Sequence, residues 1–445
     1  MSSIVKQWHS ALPHLGYDLP ADQPPTTRTA GGVAVNLPLH LARQSLSRQE
    51  FWDIPEPVLD QYRRYRPTPL WHAKDFGEAI GAKVPIYVKY EGGNVSGSHK
   101  LNTALAQAHY YRQAGVRELV TGTGAGQWGT ALAAACAVFS LRCTVFMVGD
   151  SLTRKPYRGT LMRMLGAELH ASPSGRTAIG SRPAGGGNSL ALAIGEAVEY
   201  ARDADGRAFA IGSGETYSIL HQSVIGVEAI DQLGDLEADV DAVVGCVGAG
   251  SNFGGVALPV FAAAANAARP QPLLLAAEST ATPKLTRGVY AYDRTDATGF
   301  GPSEAMYTVG SDFTIPGSHS AGLRFHGSAK LLSAMRHHGQ IAATAVGQQE
   351  AFTAARTFVQ HEGVLPAPES GHALAAAARL ATTGVTDRGE HLSARDGILV
   401  CVSGHGYLDL GAYEQHLAGL LRDEHADDDL IKLATAALQP VGGKL

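Results

Sequence analysis

EGGNVSGSHKLN, residues Glu91 to Asn102, decides the reading of this chain. It follows a short apolar run, Ile86 to Tyr90 (IYVKY), that reads as a strand, and it opens a segment, Lys100 to Tyr111, that reads as a helix. A lysine at such a junction, behind glycine, serine and histidine, sits at a helix N-terminus. There the unpaired N–H groups and the helix dipole favour an anionic ligand. A lysine in that place can bond covalently to an aldehyde and later move a proton. Taken alone, the same segment is also what an ordinary solvated first turn carries, so its neighbours have to decide.

Working outward, short apolar runs alternate with longer helical ones. Glu118 to Thr121, Cys143 to Val148, Val243 to Val247, Leu273 to Ala277 and Gly397 to Val402 read as strands, and Thr130 to Phe139 as an alanine-rich helix. Such alternation predicts a mostly parallel sheet covered by helices. The length, 445 residues, exceeds one ordinary domain, so two α/β domains are expected, 67–238 and 239–445. An extension over residues 1–66, with apolar patches such as Val33 to Val35, is expected to pack on the outside of the body. The loop Ser172 to Asn188 is rich in glycine and long enough to be functional.

With 17% charged residues and a net charge of -5, the chain lacks the clustered basic face of a nucleic-acid binder. Its four cysteines never form a CxxC pair and read as reduced, mostly buried thiols. No HExxH or GxSxG occurs, so neither a zinc site nor a serine hydrolase is expected, and no metal is assigned. The N-terminus has no signal-peptide core, and the apolar stretch near Ala131 to Val148 is interrupted by Arg142. A soluble, cytoplasmic protein is expected.

Four further loops sit at strand ends: TGAGQWG (Thr123–Gly129), VGAGSNFGG (Val247–Gly255), ESGH (Glu369–His372) and VSGHGYLD (Val402–Asp409). VGAGSNFGG is neither GxxxxGK[ST] nor GxGxxG, but its small residues let backbone N–H groups reach a phosphate, and Ser251 and Asn252 add side-chain donors. TGAGQWG suits a carboxylate in the same way. In open α/β sheets ligands bind outside the carboxyl ends of strands, which is where all five motifs fall.

In this order the motifs resemble the tryptophan synthase β-subunit family: GSHK at Gly97–Lys100, TGAGQWG, CVGAGSN at Cys246–Asn252, EGVLPAPESGHA at Glu362–Ala373 and SGHG at Ser403–Gly406. RPTPL (Arg66–Leu70), KPYR (Lys155–Arg158), HQSVIG (His221–Gly226), LTRGVYAYD (Leu285–Asp293) and GLRFHG (Gly322–Gly327) resemble its longer, divergent branch. The resemblance runs from about residue 45 to about 420. It implies a fold type II enzyme dependent on pyridoxal 5'-phosphate (PLP), with two domains, each a mostly parallel twisted sheet flanked by helices, and the cofactor between them. It implies that Lys100 holds PLP covalently and moves the Cα proton. His99 and the loop Gly248, Ala249, Gly250, Ser251 and Asn252 would bind the phosphate, Glu369 would lie near the cofactor, and Ser403 would face the pyridine nitrogen. Thr123, Gly124, Ala125, Gly126 and Gln127 would take the substrate carboxylate. A homodimer is implied, and an α-subunit partner is left open.

Two positions depart from the family pattern. Ala249 replaces the middle glycine of the phosphate loop, where a methyl group is expected to fit. More seriously, the family reads ETGAGQ, and its catalytic glutamate falls on Gly122 here. A glycine transfers no proton, and such help is typically worth about a hundred- to ten-thousand-fold. The departure implies a lyase-type β-replacement, by way of an aminoacrylate, on a serine-like amino acid with a non-standard leaving group or nucleophile. It also implies a larger pocket at Gly122, in which Gly122→Glu raises tryptophan formation. The alternatives are a tryptophan synthase β chain using serine and indole with a substitute acid, and an inactive PLP-binding partner protein.

Overall fold

The computed structural model describes residues 4–24, 37–182, 189–295, 299 and 301–442. The patch Val33–Val35 and the end of the Ser172–Asn188 loop lie outside the described residues.

Two sheets carry the architecture. The larger has six strands, in the order Ala342–Val346, Leu273–Ser279, Ala242–Cys246, Ile398–Val402, Ile86–Tyr90 and Leu70–His72. All its pairings are parallel except the last, where Leu70–His72 runs antiparallel to Ile86–Tyr90. The smaller has four parallel strands, Glu168–Ser172, Arg142–Val148, Glu118–Thr123 and Arg207–Phe209. Their interior strands are buried on both faces, as continuous apolar runs such as Ile398–Val402 require. A helix follows each key strand: Lys100–Gln113, Gln127–Val138 and Ser251–Asn266. The strand Glu118–Thr123 runs two residues further than the sequence pattern suggests, and its helix starts at Gln127 rather than Thr130. The Gly126 turn, with φ +89°, is tight enough to need only three residues between them.

The N-terminal segment is not merely laid on the outside. Trp8, Leu41, Val58 and Tyr62 are fully buried within the main core, and Trp8 packs 4.5 Å from the His221 ring. Among the described residues no helix is long and apolar enough to cross a membrane. The four cysteines are free and buried.

A buried ion network fixes the strand-to-helix junction that carries Lys100. Arg66 donates to Glu91 at 2.9 Å and to Glu228 at 2.7 Å, and Lys89 reaches Glu228 at 2.9 Å, all fully buried. Asn102, two residues past Lys100, donates to Glu91 at 3.2 Å and accepts from Arg66 at 2.9 Å. Removing one partner of such a network leaves uncompensated buried charge, at a cost of about 3–5 kcal/mol. Arg66→Leu is therefore expected to lower the urea midpoint of the PLP-loaded protein strongly. A midpoint unchanged from wild type would contradict the network's structural role.

Candidate active site

Because the strands are parallel, four of the motif loops leave the same ends of the two sheets and meet around adjoining cavities; ESGH is not at a strand end as expected but in the first turn of the helix Pro368–Thr382, which follows the helix Gln348–Glu362. One cavity is lined by His99, Lys100, Gly248–Asn252, Glu369 and Ser403. Its neighbour is lined by Lys100, Gly122–Ala125, Gln127 and, from elsewhere in the chain, Leu190, Ile194 and Arg324. Lys100 and Gln127 belong to both walls. Of the residues singled out in the sequence, Gly126 alone lines neither cavity; it sits behind the wall and shapes the turn, with the Met147 and Arg158 side chains against it.

Lys100 is the first residue of its helix and opens onto both cavities. Burial lowers its pKa from the usual lysine range, while the Glu369 carboxylate pulls it back up. A depressed amine is the form that can attack a carbonyl and accept a proton. His99 lies between the Ser403 carbonyl and the Ser251 hydroxyl, both 3.3 Å from its ring nitrogens. Burial first, and the Lys100 charge second, hold its pKa well below the usual range, so the ring is neutral.

The loop Gly248–Gly250 is a cradle that side chains would fill. A methyl carbon on Gly248 would lie 2.2 Å from the Gly322 carbonyl oxygen, and one on Gly250, where φ is +117°, 2.1 Å from Leu332. Ala249 is accommodated. Its Cβ faces Gly214, where even an added carbon would stay 3.9 Å away. Helix Ser251–Asn266 begins directly after this loop, so its first N–H groups point into the cavity. The Asn252 side chain also meets two cysteines, with Nδ2 3.7 Å from Cys246 Sγ and Oδ1 accepting from Cys401 at 3.1 Å, which leaves its second amide N–H beside its backbone N–H. The Ser403 hydroxyl lies 2.9 Å from Ser370 Oγ, and the Ser403 N–H donates to that same oxygen. Glu369 Oε1 accepts the Gly322 N–H at 2.8 Å, and its Oε2 is buried without a partner among the described residues.

At Gly122 the structure overturns the expectation of a larger pocket. A methyl carbon built there would lie 2.5 Å from the Ile194 nitrogen and 2.6 Å from the Ala193 carbonyl. The helix Leu190–Arg202 packs its backbone against the strand, and Leu190 and Ile194 make that side of the cavity apolar. Arg324 is a charged side chain on this wall for which the sequence assigned no role, although GLRFHG contains it. It donates to the Ile315 carbonyl at 3.1 Å, and its Nε is buried without an acceptor among the described residues. Burial and the nearby Arg154 charge lower its pKa, but a guanidinium stays protonated. Lys155 and Arg158 of KPYR both bind Asp409 of the last loop, at 2.5 and 2.7 Å, and so tie the segment after the strand Arg142–Val148 to the loop after Ile398–Val402.

Residues 62–404 match the family model described as pyridoxal-phosphate dependent enzyme. The chain belongs to that family. It is 41% identical to the tryptophan synthase beta chain of Thermococcus gammatolerans, over 96% of this chain and 97% of that one. It is 44% identical to the tryptophan synthase beta chain of Pyrobaculum islandicum, over 96% and 100%. Within the family it is a tryptophan synthase β-like enzyme. Solved structures agree on the fold. An L-serine ammonia-lyase from Rhizomucor miehei superposes with a TM-score of 0.60 at 17% identity, over 80% of this chain and 98% of that one. Threonine deaminase isoform 2 from Solanum lycopersicum gives 0.58 at 16%, over 95% and 100%. The cofactor is PLP, and the residues present suit it: an amine of lowered pKa, a cradle of backbone N–H groups at a helix N-terminus, and a hydroxyl rather than a carboxylate at Ser403.

Proposed function

We propose that this enzyme carries out β-replacement on a serine-like amino acid whose leaving group departs without help from a carboxylate at position 122. The observation that carries the reading is the helix backbone packed against Gly122, which excludes any side chain there. PLP supplies stabilisation of negative charge at Cα, and a hydroxyl partner at Ser403 keeps that stabilisation moderate, as elimination from the β-carbon requires. Lys100 takes the Cα proton and returns it after the nucleophile has added at Cβ. Thr123, Gly124, Ala125 and Gln127 hold the substrate carboxylate on backbone N–H groups at the start of a helix, with Gly126 setting their turn. His99 and residues 248–252 hold the phosphate.

The cation on the wall, Arg324, favours a donor that carries its own negative charge, such as a phosphate ester, because a part-buried guanidinium lining the cavity stabilises a departing oxyanion. Arg324→Leu should lower kcat/KM for O-phosphoserine by at least about tenfold, within what one charged contact supplies, and leave O-acetylserine nearly unchanged. Equal losses for both donors would sink the assignment of Arg324 to the leaving group.

A second reading is favoured by the relatives, which are named tryptophan synthase beta chains. In it the chain joins serine and indole, and Glu369, whose Oε2 is buried without a partner among the described residues, stands in for the missing carboxylate. An inactive PLP-binding partner is disfavoured by the intact Lys100 and phosphate cradle. We also propose a homodimer, a cytoplasmic setting and the division 1–66, 67–238 and 239–445, with strands Leu70–His72 and Ile86–Tyr90 crossing into the larger sheet. An α-subunit partner is compatible with this reading.

A further inference from the structure

Far from Lys100 in sequence, His9, His14 and Glu50 bring one ligand atom each to within 4.8 Å of one another. The Nε2 atoms of both histidines lie 3.0 Å from the same oxygen, Glu50 Oε1. Asn266 brings its amide to 2.6 Å from that oxygen as well. Three nitrogens thus converge on an atom with two lone pairs. We infer that His9, His14 and Glu50, with Asn266, form a binding site for a divalent ion of the zinc type.

The donor set is the one such ions select, two imidazoles and a carboxylate. Bonds of roughly 2.0–2.2 Å in a tetrahedral arrangement separate neighbouring ligand atoms by about 3.3 Å. The two nitrogen–oxygen distances need widen by only a few tenths of an ångström. Turning the Asn266 amide over would bring its carbonyl oxygen to the ion as a fourth ligand.

The ligands are held by structure that does not depend on an ion. His9 ends the strand Gln7–His9, which pairs with Phe51–Asp53, and the Ser10 N–H donates to the Glu50 carbonyl at 2.7 Å. The His9 N–H donates to Ser223 Oγ at 2.8 Å, and the Phe51 ring stacks on the His9 ring at 4.6 Å. His14 closes the short turn Leu12–His14. The side chains of His9, His14 and Glu50 are 8%, 14% and 26% exposed, which leaves an entry path. Asn266 is the last residue of the helix whose first turn faces the phosphate cradle. An ion here would therefore fasten the N-terminal segment to the far end of that helix, about 24 Å from the cradle at 1.5 Å per residue.

The test uses the full-length, PLP-loaded protein, dialysed against a chelator and titrated with zinc chloride in a calorimeter and with cobalt(II) by visible absorption. One zinc ion per chain with a dissociation constant of micromolar or lower is expected, together with the intense cobalt bands of four-coordinate ligation. His14→Ala and Glu50→Gln should each weaken zinc binding at least tenfold while leaving the PLP absorbance in place. The wild-type titration stands by itself if a variant folds poorly. Absence of stoichiometric zinc binding in the wild type, or affinity unchanged in both variants, would overturn the proposal.

Discussion

Lys100→Ala is expected to remove covalent attachment of PLP and to slow turnover by about a hundred- to ten-thousand-fold or more, the value of the proton-transferring amine. The cradle formed by residues 248–252 and His99 remains in that variant, so PLP should still bind without a covalent bond. Borohydride treatment of the wild type should fix the cofactor on Lys100 alone. In Lys100→Ala it should fix nothing. A label on another lysine, or turnover within tenfold of wild type, would show that a different group holds the cofactor or moves the proton.

Gly122→Glu is expected to damage the enzyme rather than convert it into a better tryptophan synthase. By chemistry alone a carboxylate at this position would assist hydroxide departure, and a tenfold gain needs only about 1.4 kcal/mol. Space forbids it. The first carbon of the new side chain would fall 2.5 Å from a backbone nitrogen of the helix Leu190–Arg202, and a backbone does not swing aside as a flexible side chain does. Overpacking of this kind costs about 1–3 kcal/mol or more. Gly122→Glu should therefore show a lower thermal midpoint, reduced PLP content and no gain with serine and indole. Gly122→Ala, which adds only the clashing carbon, should show the same fall in midpoint. A Gly122→Glu enzyme with normal stability and at least tenfold faster tryptophan synthesis would mean that the helix yields easily.

The sheets and the gathering of most of the candidate site around its cavities were legible because their signals are local. GSHK, TGAGQWG and CVGAGSN each join a strand to a helix within a dozen residues, and parallel pairing then brings their loops together without further information. What escaped the sequence is long-range. Gly122 and Ile194 are separated by 72 positions, so the missing glutamate could be read but not the helix that fills its place. Asn252 could be read as a donor from its loop alone, but not the contacts its amide also makes with Cys246 and Cys401 of the neighbouring strands. Arg324 lay in a quoted motif without a role, because nothing local distinguishes a part-buried cation on a cavity wall from one on the open surface. Trp8 and Tyr62 show the same limit. A polar, proline-bearing segment reads as peripheral until its few large apolar side chains are found in the core.

The most direct test of the altered chemistry is a steady-state comparison of two donors with indole as common nucleophile, using wild-type enzyme saturated with PLP. O-phosphoserine should be at least tenfold better than serine in kcat/KM, and serine with indole should run well below one turnover per second. Serine and indole converted to tryptophan at about one per second or faster, an ordinary enzyme rate, would contradict the claim that Gly122 redirects the reaction.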